Sequence, residues 1–174
     1  MSHVFRTAAT LIALALVTQP AAAQDGFRLG YTDVGATIGV GGIGAASVAI
    51  GLRGEHALRS MPDLGDGLIG IQVGVDYYSW SEPGFKWSYI PIGATANYHF
   101  QLENKKLDPF AGLGLGYSIV SCSYSGLGDL CSGSALYFIG RAGARYFLNE
   151  KLSLYGDVGA GAATVNLGVM MRVK

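Results

Sequence analysis

From Ser134 to Lys174 apolar residues alternate one for one with small or polar residues, in segments joined by two turns. In the first segment Leu136, Phe138, Gly140, Ala142, Ala144, Tyr146 and Leu148 form one set, and Tyr137, Ile139, Arg141, Gly143, Arg145 and Phe147 form the other. A period of two puts the sets on opposite faces of a strand. One face is apolar or small and the other carries both arginines, so the two faces meet different surroundings. The same split recurs in Leu152 to Gly161 and in Thr164 to Lys174.

The pattern extends back through the chain. Strands are predicted at Tyr31 to Val40, Ser47 to Leu58, Ile69 to Tyr78, Trp87 to Phe100 and Pro109 to Ser121, ahead of the three already described. Glycine-rich Gly41 to Ala46, the run MPDLGDG, Ser-Glu-Pro-Gly at 81–84, ENKKLD at 103–108 and a loop from Cys122 to Gly133 separate them. Pro91 lies inside the fourth strand, where a missing N–H predicts a local bulge or a lost ladder bond. The expectation is an all-β chain of eight antiparallel strands, most reaching the roughly 9–11 residues that a tilted membrane-crossing strand needs. An even count puts both termini on one side, which in an outer membrane is the periplasm.

Residues 1–23 read as a separate leader. His3 and Arg6 give a basic start, Thr10 to Val17 an apolar run too short to span a bilayer as a helix, and Pro20 with Ala21-Ala22-Ala23 a small-residue cleavage site. Cleavage after Ala23 is expected, leaving residues 24–174 as a single barrel domain. No later window offers the roughly 18 uninterrupted apolar residues of a transmembrane helix. An exported β chain of this kind is either soluble or an outer-membrane barrel.

The charged face decides between these. Asp33, Arg53, Glu55, Asp76, Arg141, Arg145, Asp157 and Arg172 all fall on the face assigned as inner, while the outer face of the strands is nearly free of charge. A soluble barrel needs the reverse, because only burial of its apolar face drives folding in water. An Arg or Lys on the lipid face at mid-bilayer costs about 2–4 kcal/mol, which accounts for their exclusion. Charged residues make up only 14% of the chain, against about 25% in typical soluble domains. Trp80, Trp87, Tyr89, Tyr117, Tyr124 and Tyr137 near one set of strand ends, with Tyr98, Phe100, Phe110, Tyr146 and Phe147 near the other, read as two interfacial girdles.

The runs DPFAGLGLGY (108–117), GRAGARYFLNEKLSLYGDVG (140–159) and VNLGVMMRVK (165–174) resemble the small bacterial outer-membrane barrels of the OmpA/OmpX-like, eight-stranded family. The resemblance implies location in the bacterial outer membrane, contact with outer-membrane lipid and lipopolysaccharide, and insertion by the barrel-assembly machinery. Asn166, Gly168, Met171 and Val173 keep the spacing of that family's terminal assembly signal, with Met171 and Val173 where aromatic residues are usual.

In a barrel of about eight strands the interior is just wide enough for side chains to fill. The eight inner charges are four acids and four bases, so they read first as a buried ion-pair network, with Asp157 as the partner of Arg141 and Arg145. A polar binding site or proton path would use the same residues. Inward Gly112, Gly114 and Gly116 either make room for Phe110, Tyr137 and Tyr155 or leave a narrow void, the one argument for a small-solute channel. Cys122 and Cys131 are the only cysteines; in an exported loop a disulfide is the default, with free thiols or a metal site as alternatives. His56 and His99 lie outside any nucleophile motif, and His99 reads as an inward polar residue near the periplasmic rim. The glycine run GVGGIG at 39–44 lacks the lysine and helix of a nucleotide loop.

The expectation is therefore a non-enzymatic, structural or surface-interacting barrel, most simply a monomer, with no cofactor and no nucleic-acid partner. A porin-like channel and a membrane-embedded lipid-modifying enzyme are the alternatives.

Overall fold

In the computed structural model, which describes residues 26–124 and 128–174 except for the side chains of 124–132, the alternating segments close into a barrel. The expected leader lies outside the described residues. The strands are β1 (Thr32–Val40), β2 (Ala49–Met61), β3 (Gly67–Glu82), β4 (Phe85–His99), β5 (Leu107–Tyr124), β6 (Gly128–Phe147), β7 (Leu152–Ala160) and β8 (Val165–Arg172). Each pairs antiparallel with its neighbour in sequence, and β8 closes on β1 from Asp33 opposite Arg172 to Val40 opposite Val165. Closure leaves no sheet edge in the belt, which a bilayer requires of any β structure that crosses it.

Burial follows the two-residue period. Leu136 is 76% exposed and Leu115 63%, whereas Arg145 is 0% exposed. The apolar face is thus outside and the charged face inside, the inversion that sets a membrane barrel apart from a soluble one.

Two regions differ from the sequence reading. ENKKLD is not wholly a turn, since Leu107 and Asp108 pair with Tyr146 and Arg145 in the β5–β6 ladder. Most of the supposed loop from Cys122 to Gly133 is strand. Its large apolar residues, Tyr124, Leu127 and Leu130, fall on both parities, so the sequence carries no contrast from which a period could be read. At Pro91 the second of the two expected outcomes is found: Val75 faces Ile92 and Tyr78 faces Tyr89 in one continuous register without a bulge, and the intervening β3–β4 pairs are missing. Register shifts fall in β2, between Ala57 and Arg59, and in the β5–β6 ladder at Cys122 and Ser123.

The strands are unequal in length, and this shapes the end of the barrel away from the termini. Pairing of β2 with β3 stops at Ile50 opposite Tyr77, and that of β6 with β7 at Gly140 opposite Ala160. β3 and β4 continue to Glu82 opposite Phe85, and β5 and β6 to Tyr124 opposite Gly128. A four-stranded sheet, β3 to β6, therefore projects past the distal rim. Among the described residues, β6 has no ladder partner on its β7 side from 128 to 139.

Candidate functional site: the barrel lumen

The inward residues of the strands stack into layers from the terminal end to the distal end. Nearest the termini, Phe27, Tyr31, Ala57, Leu68 and Phe147 form an apolar cluster. Next comes a group of charges centred on Arg145. Its Nε lies 3.0 Å from Asp33 Oδ2 and its Nη1 3.3 Å from Asp108 Oδ2, while Nη2 bonds Glu55. One planar guanidinium thus faces three carboxylates. The ring of His99 bridges two of them, with Nε2 2.8 Å from Glu55 Oε1 and Nδ1 3.0 Å from the Asp108 oxygens. Asn97 and Gln72 donate to Glu55 at 2.9 Å and 3.0 Å.

A second group lies nearer the distal end. Arg53 Nη2 donates to both Asp76 oxygens at 2.8 Å and 2.9 Å. Arg141 Nε donates to Asp157 Oδ1 at 2.6 Å, and its Nη atoms donate to the Ala163 carbonyl at 3.0 Å. Asp157 also accepts from Asn166 at 2.9 Å and from the Tyr155 hydroxyl at 2.5 Å. Buried charges are tolerated where their hydrogen-bonding capacity is met, and Asp157 meets that condition with three donors.

Seven of the eight residues singled out in the sequence take part in these ion pairs. Asp157 does meet Arg141, but Arg145 turns instead to Asp33, Glu55 and Asp108. Arg172 sits at the rim, its guanidinium 5.3 Å from the ring centre of Tyr31 and its Nε donating to the Lys174 carbonyl. Asp108 is the member the sequence reading missed. It shares the inward parity of Phe110, the one signal that marks it, but it follows two lysines and a leucine in a run that reads as a turn.

The aromatic girdles need correction. Trp80, Trp87 and Tyr89 lie on the inward face with Tyr78, at and beyond the distal rim. Trp80 stacks on Trp87 at 6.1 Å and on Tyr89 at 5.2 Å, and Tyr78 stacks on Tyr89 at 5.0 Å. Ile43, from the β1–β2 turn, is buried with Tyr78, Ala49 and Ala163 at the distal end. Phe110 and Phe147 are buried inward at the other end. Tyr77, Tyr98, Phe100, Tyr117 and Tyr146 are on the outer face. The sequence reading sorted aromatics by height along the strands, whereas parity sorts them by face: Trp80 is four residues from Asp76 and shares its side.

The glycines of β5 leave room that neighbours occupy. A Cβ at Gly116 would overlap the Tyr137 ring, and one at Gly112 the amide of Asn97. Phe110 fills space beside Gly143 instead. A cavity between Arg53, Gln72, Asp76, Thr95, Tyr137 and Arg141 measures about 30 Å³, room for roughly one or two waters.

Cys122 and Cys131 face each other across the β5–β6 ladder, inside the projecting hairpin rather than in a loop. Cys122 is buried and disulfide-bonded, and among the described residues no cysteine is free; the side chain of Cys131 lies outside them.

A closed antiparallel barrel with an apolar belt outside and paired charges within is a transmembrane barrel of the outer-membrane type. The chain belongs to the outer membrane protein beta-barrel domain family, whose model matches residues 9–168, and its place is the bacterial outer membrane. Three solved structures share the fold. Ail, the attachment invasion locus protein of Yersinia pestis, is 14% identical, with a TM-score of 0.58 over 83% of this chain and 96% of its own. Neisserial surface protein A is 18% identical, with a TM-score of 0.56 over 83% and 96%. The N-terminal β-barrel domain of Pseudomonas aeruginosa OprF is 16% identical, with a TM-score of 0.50 over 83% and 98%. No curated protein matches the chain in sequence.

Proposed function

We propose that this chain is a non-enzymatic outer-membrane barrel with a side-chain-filled lumen, acting at the cell surface through its projecting β3–β6 sheet. The observation that carries the reading is the open edge of β6 beyond Gly140, a row of backbone donors and acceptors with no ladder partner among the described residues. Such an edge is a template for an added strand from a partner protein. With the termini periplasmic, the sheet stands on the outer surface. The apolar belt sits in outer-membrane lipid and lipopolysaccharide, and the last strand meets the assembly machinery.

Proline scanning tests this. Side-by-side residues of a strand point their N–H groups to opposite sides, so of Ser134→Pro and Ala135→Pro one deletes only an edge donor and leaves the β5–β6 ladder intact. That variant is expected to keep the heat-shifted, folded gel band and to lose adhesion of expressing cells to protein-coated surfaces. Equal adhesion in both folded variants and the parent would remove the edge-pairing role.

The filled lumen supports a non-conducting barrel over the porin-like alternative. In planar bilayers no stable steps are expected, and regular open steps would overturn that part of the reading. Ail has also been solved in complex with the heparin analogue sucrose octasulfate. The distal segments of this chain carry Glu82, Lys86 and Asp129, one base against two acids, which argues against a polysulfate partner here.

A further inference from the structure

Residues 26–31 precede β1 at the terminal mouth of the barrel, and only their last two residues meet the backbone of β2. The Tyr31 N–H donates to the Arg28 carbonyl at 2.9 Å, closing a turn in which Gly30 has φ 79°. That turn is fastened to β2 by two bonds, Gly30 N–H to the Ala57 carbonyl at 3.0 Å and Ala57 N–H to the Tyr31 carbonyl at 2.8 Å. Ahead of the turn, Phe27 drops into the lumen and is only 3% exposed. Its ring lies flat on the imidazole of His99, with centroids 3.7 Å apart and planes 15° from parallel. The Arg145 guanidinium carbon is 5.0 Å from the same ring centre. The Phe27 carbonyl accepts a 3.4 Å bond from Gln101 Nε2.

We infer that residues 26–31 form a strap and that Phe27 is its removable stopper, closing the terminal mouth and controlling the access of water to the ionic cluster of Asp33, Glu55, His99, Asp108 and Arg145. The ring covers the face of His99 and lies beside Arg145, the two cationic or proton-bearing groups that hold the three carboxylates together. An ion pair is far stronger in a dry, low-dielectric site than in contact with water, so the layer above the cluster sets its strength. No strand need be broken to lift the layer, because Phe27 lies ahead of the two bonds to Ala57 and Gly30 supplies a hinge in a backbone region that glycine enters without cost. Tyr31, Phe147, Ala57 and Leu68 line the seat that Phe27 fills. The strap is therefore the part of the lumen filling that is able to leave while the barrel stays closed.

Ring N–H protons of histidine are visible in proton–nitrogen spectra only where exchange with water is slow, and His56, at the terminal rim on the outer face with Nδ1 2.7 Å from Thr32 Oγ1, serves as a comparison within the same sample. The experiment uses the folded protein in detergent micelles, isotopically labelled at the histidine ring nitrogens, with His99→Gln to assign the signals. The wild-type protein is expected to show His99 ring N–H signals that exchange more slowly than any from His56. Phe27→Ala is expected to speed exchange about tenfold or more, enough to erase the His99 signals, with the heat-shifted folded band kept. Phe27→Leu, which keeps an apolar plug without the flat stack, is expected to give intermediate exchange. Phe147→Ala, which thins the same cluster away from His99, is expected to leave the signals in place. Three results would each overturn the assignment: no His99 signals in the wild type, signals unchanged in every folded Phe27 variant, or loss in Phe147→Ala equal to that in Phe27→Ala. If Phe27→Ala does not fold, the wild-type and Phe27→Leu spectra alone decide.

Discussion

Asp108 and Arg145 sit directly opposite each other in the β5–β6 ladder, and Arg145 Nη1 reaches Asp108 Oδ2 at 3.3 Å. The pairing fixes the guanidinium in the middle of the lumen, where its other nitrogens meet Asp33 and Glu55. Arg145→Met keeps length and removes charge, leaving three buried carboxylates around an apolar chain. Breaking a buried pair in this way costs about 3–5 kcal/mol. Urea unfolding of the folded protein in micelles, followed by the gel shift, measures it, and adding Glu55→Gln is expected to restore part of the loss. A change within about 1 kcal/mol, the worth of an exposed pair, would mean that the cluster does not hold the barrel together.

Gly116 and Tyr137 make a second, steric relationship across the same two strands. They face each other in register, and a Cβ at Gly116 would fall within the Tyr137 ring. Gly116→Ala is expected to destabilise by about 1–3 kcal/mol through overpacking. In a Tyr137→Ala background the same substitution is expected to be close to neutral, so the double-mutant cycle carries the coupling. Equal losses in both backgrounds would show that the glycine is kept for its backbone and not for the ring.

The fold was legible because membrane exclusion writes itself into parity: Leu136 and Arg145 differ in parity, and in the structure they differ completely in exposure. Parity also carried most of the lumen. It failed at Asp108, where lysines and a leucine mask the start of a strand, and at the projecting hairpin, where apolar residues fall on both parities. Pairing partners were a harder matter, since parity gives the face but not the height at which side chains meet. Arg145 passes over Asp157 in the adjacent strand to reach Glu55, a contact set by the closed cross-section. The strap carrying Phe27 has no periodic signal at all, because its role depends on one ring and one hinge.

Leu115 lies on the outer face near the middle of β5 and is 63% exposed, with Phe138 opposite it on β6. Leu115→Arg places a charge against lipid chains and is expected to cost about 2–4 kcal/mol. The same substitution at Val173, past the end of β8 and near the rim, is expected to cost roughly 0–1 kcal/mol, as charges do close to the interface. Folding titrations into lipid vesicles give both values. If the two positions cost the same, the outer face does not see a depth-dependent apolar medium, and the membrane placement of this belt would have to be redrawn.

Cys122 and Cys131 oppose each other above the distal rim, beside a register shift at Ser123. A bridge there ties the two longest strands where the barrel no longer supports them. Closing a short loop of this kind stabilises by about 3 kcal/mol on the chain-entropy account. The benefit is local, because the belt below is closed by ladders that do not depend on the hairpin. Mass spectrometry of the mature, non-reduced protein is expected to show no free thiol, and reduction to add the mass of two hydrogens. Amide exchange after reduction is expected to rise in residues 118–136 and to stay unchanged from 107 to 116, with the heat-shifted band intact. Two free thiols in the native protein would refute the bridge; loss of the folded band on reduction would show instead that the hairpin holds the barrel closed.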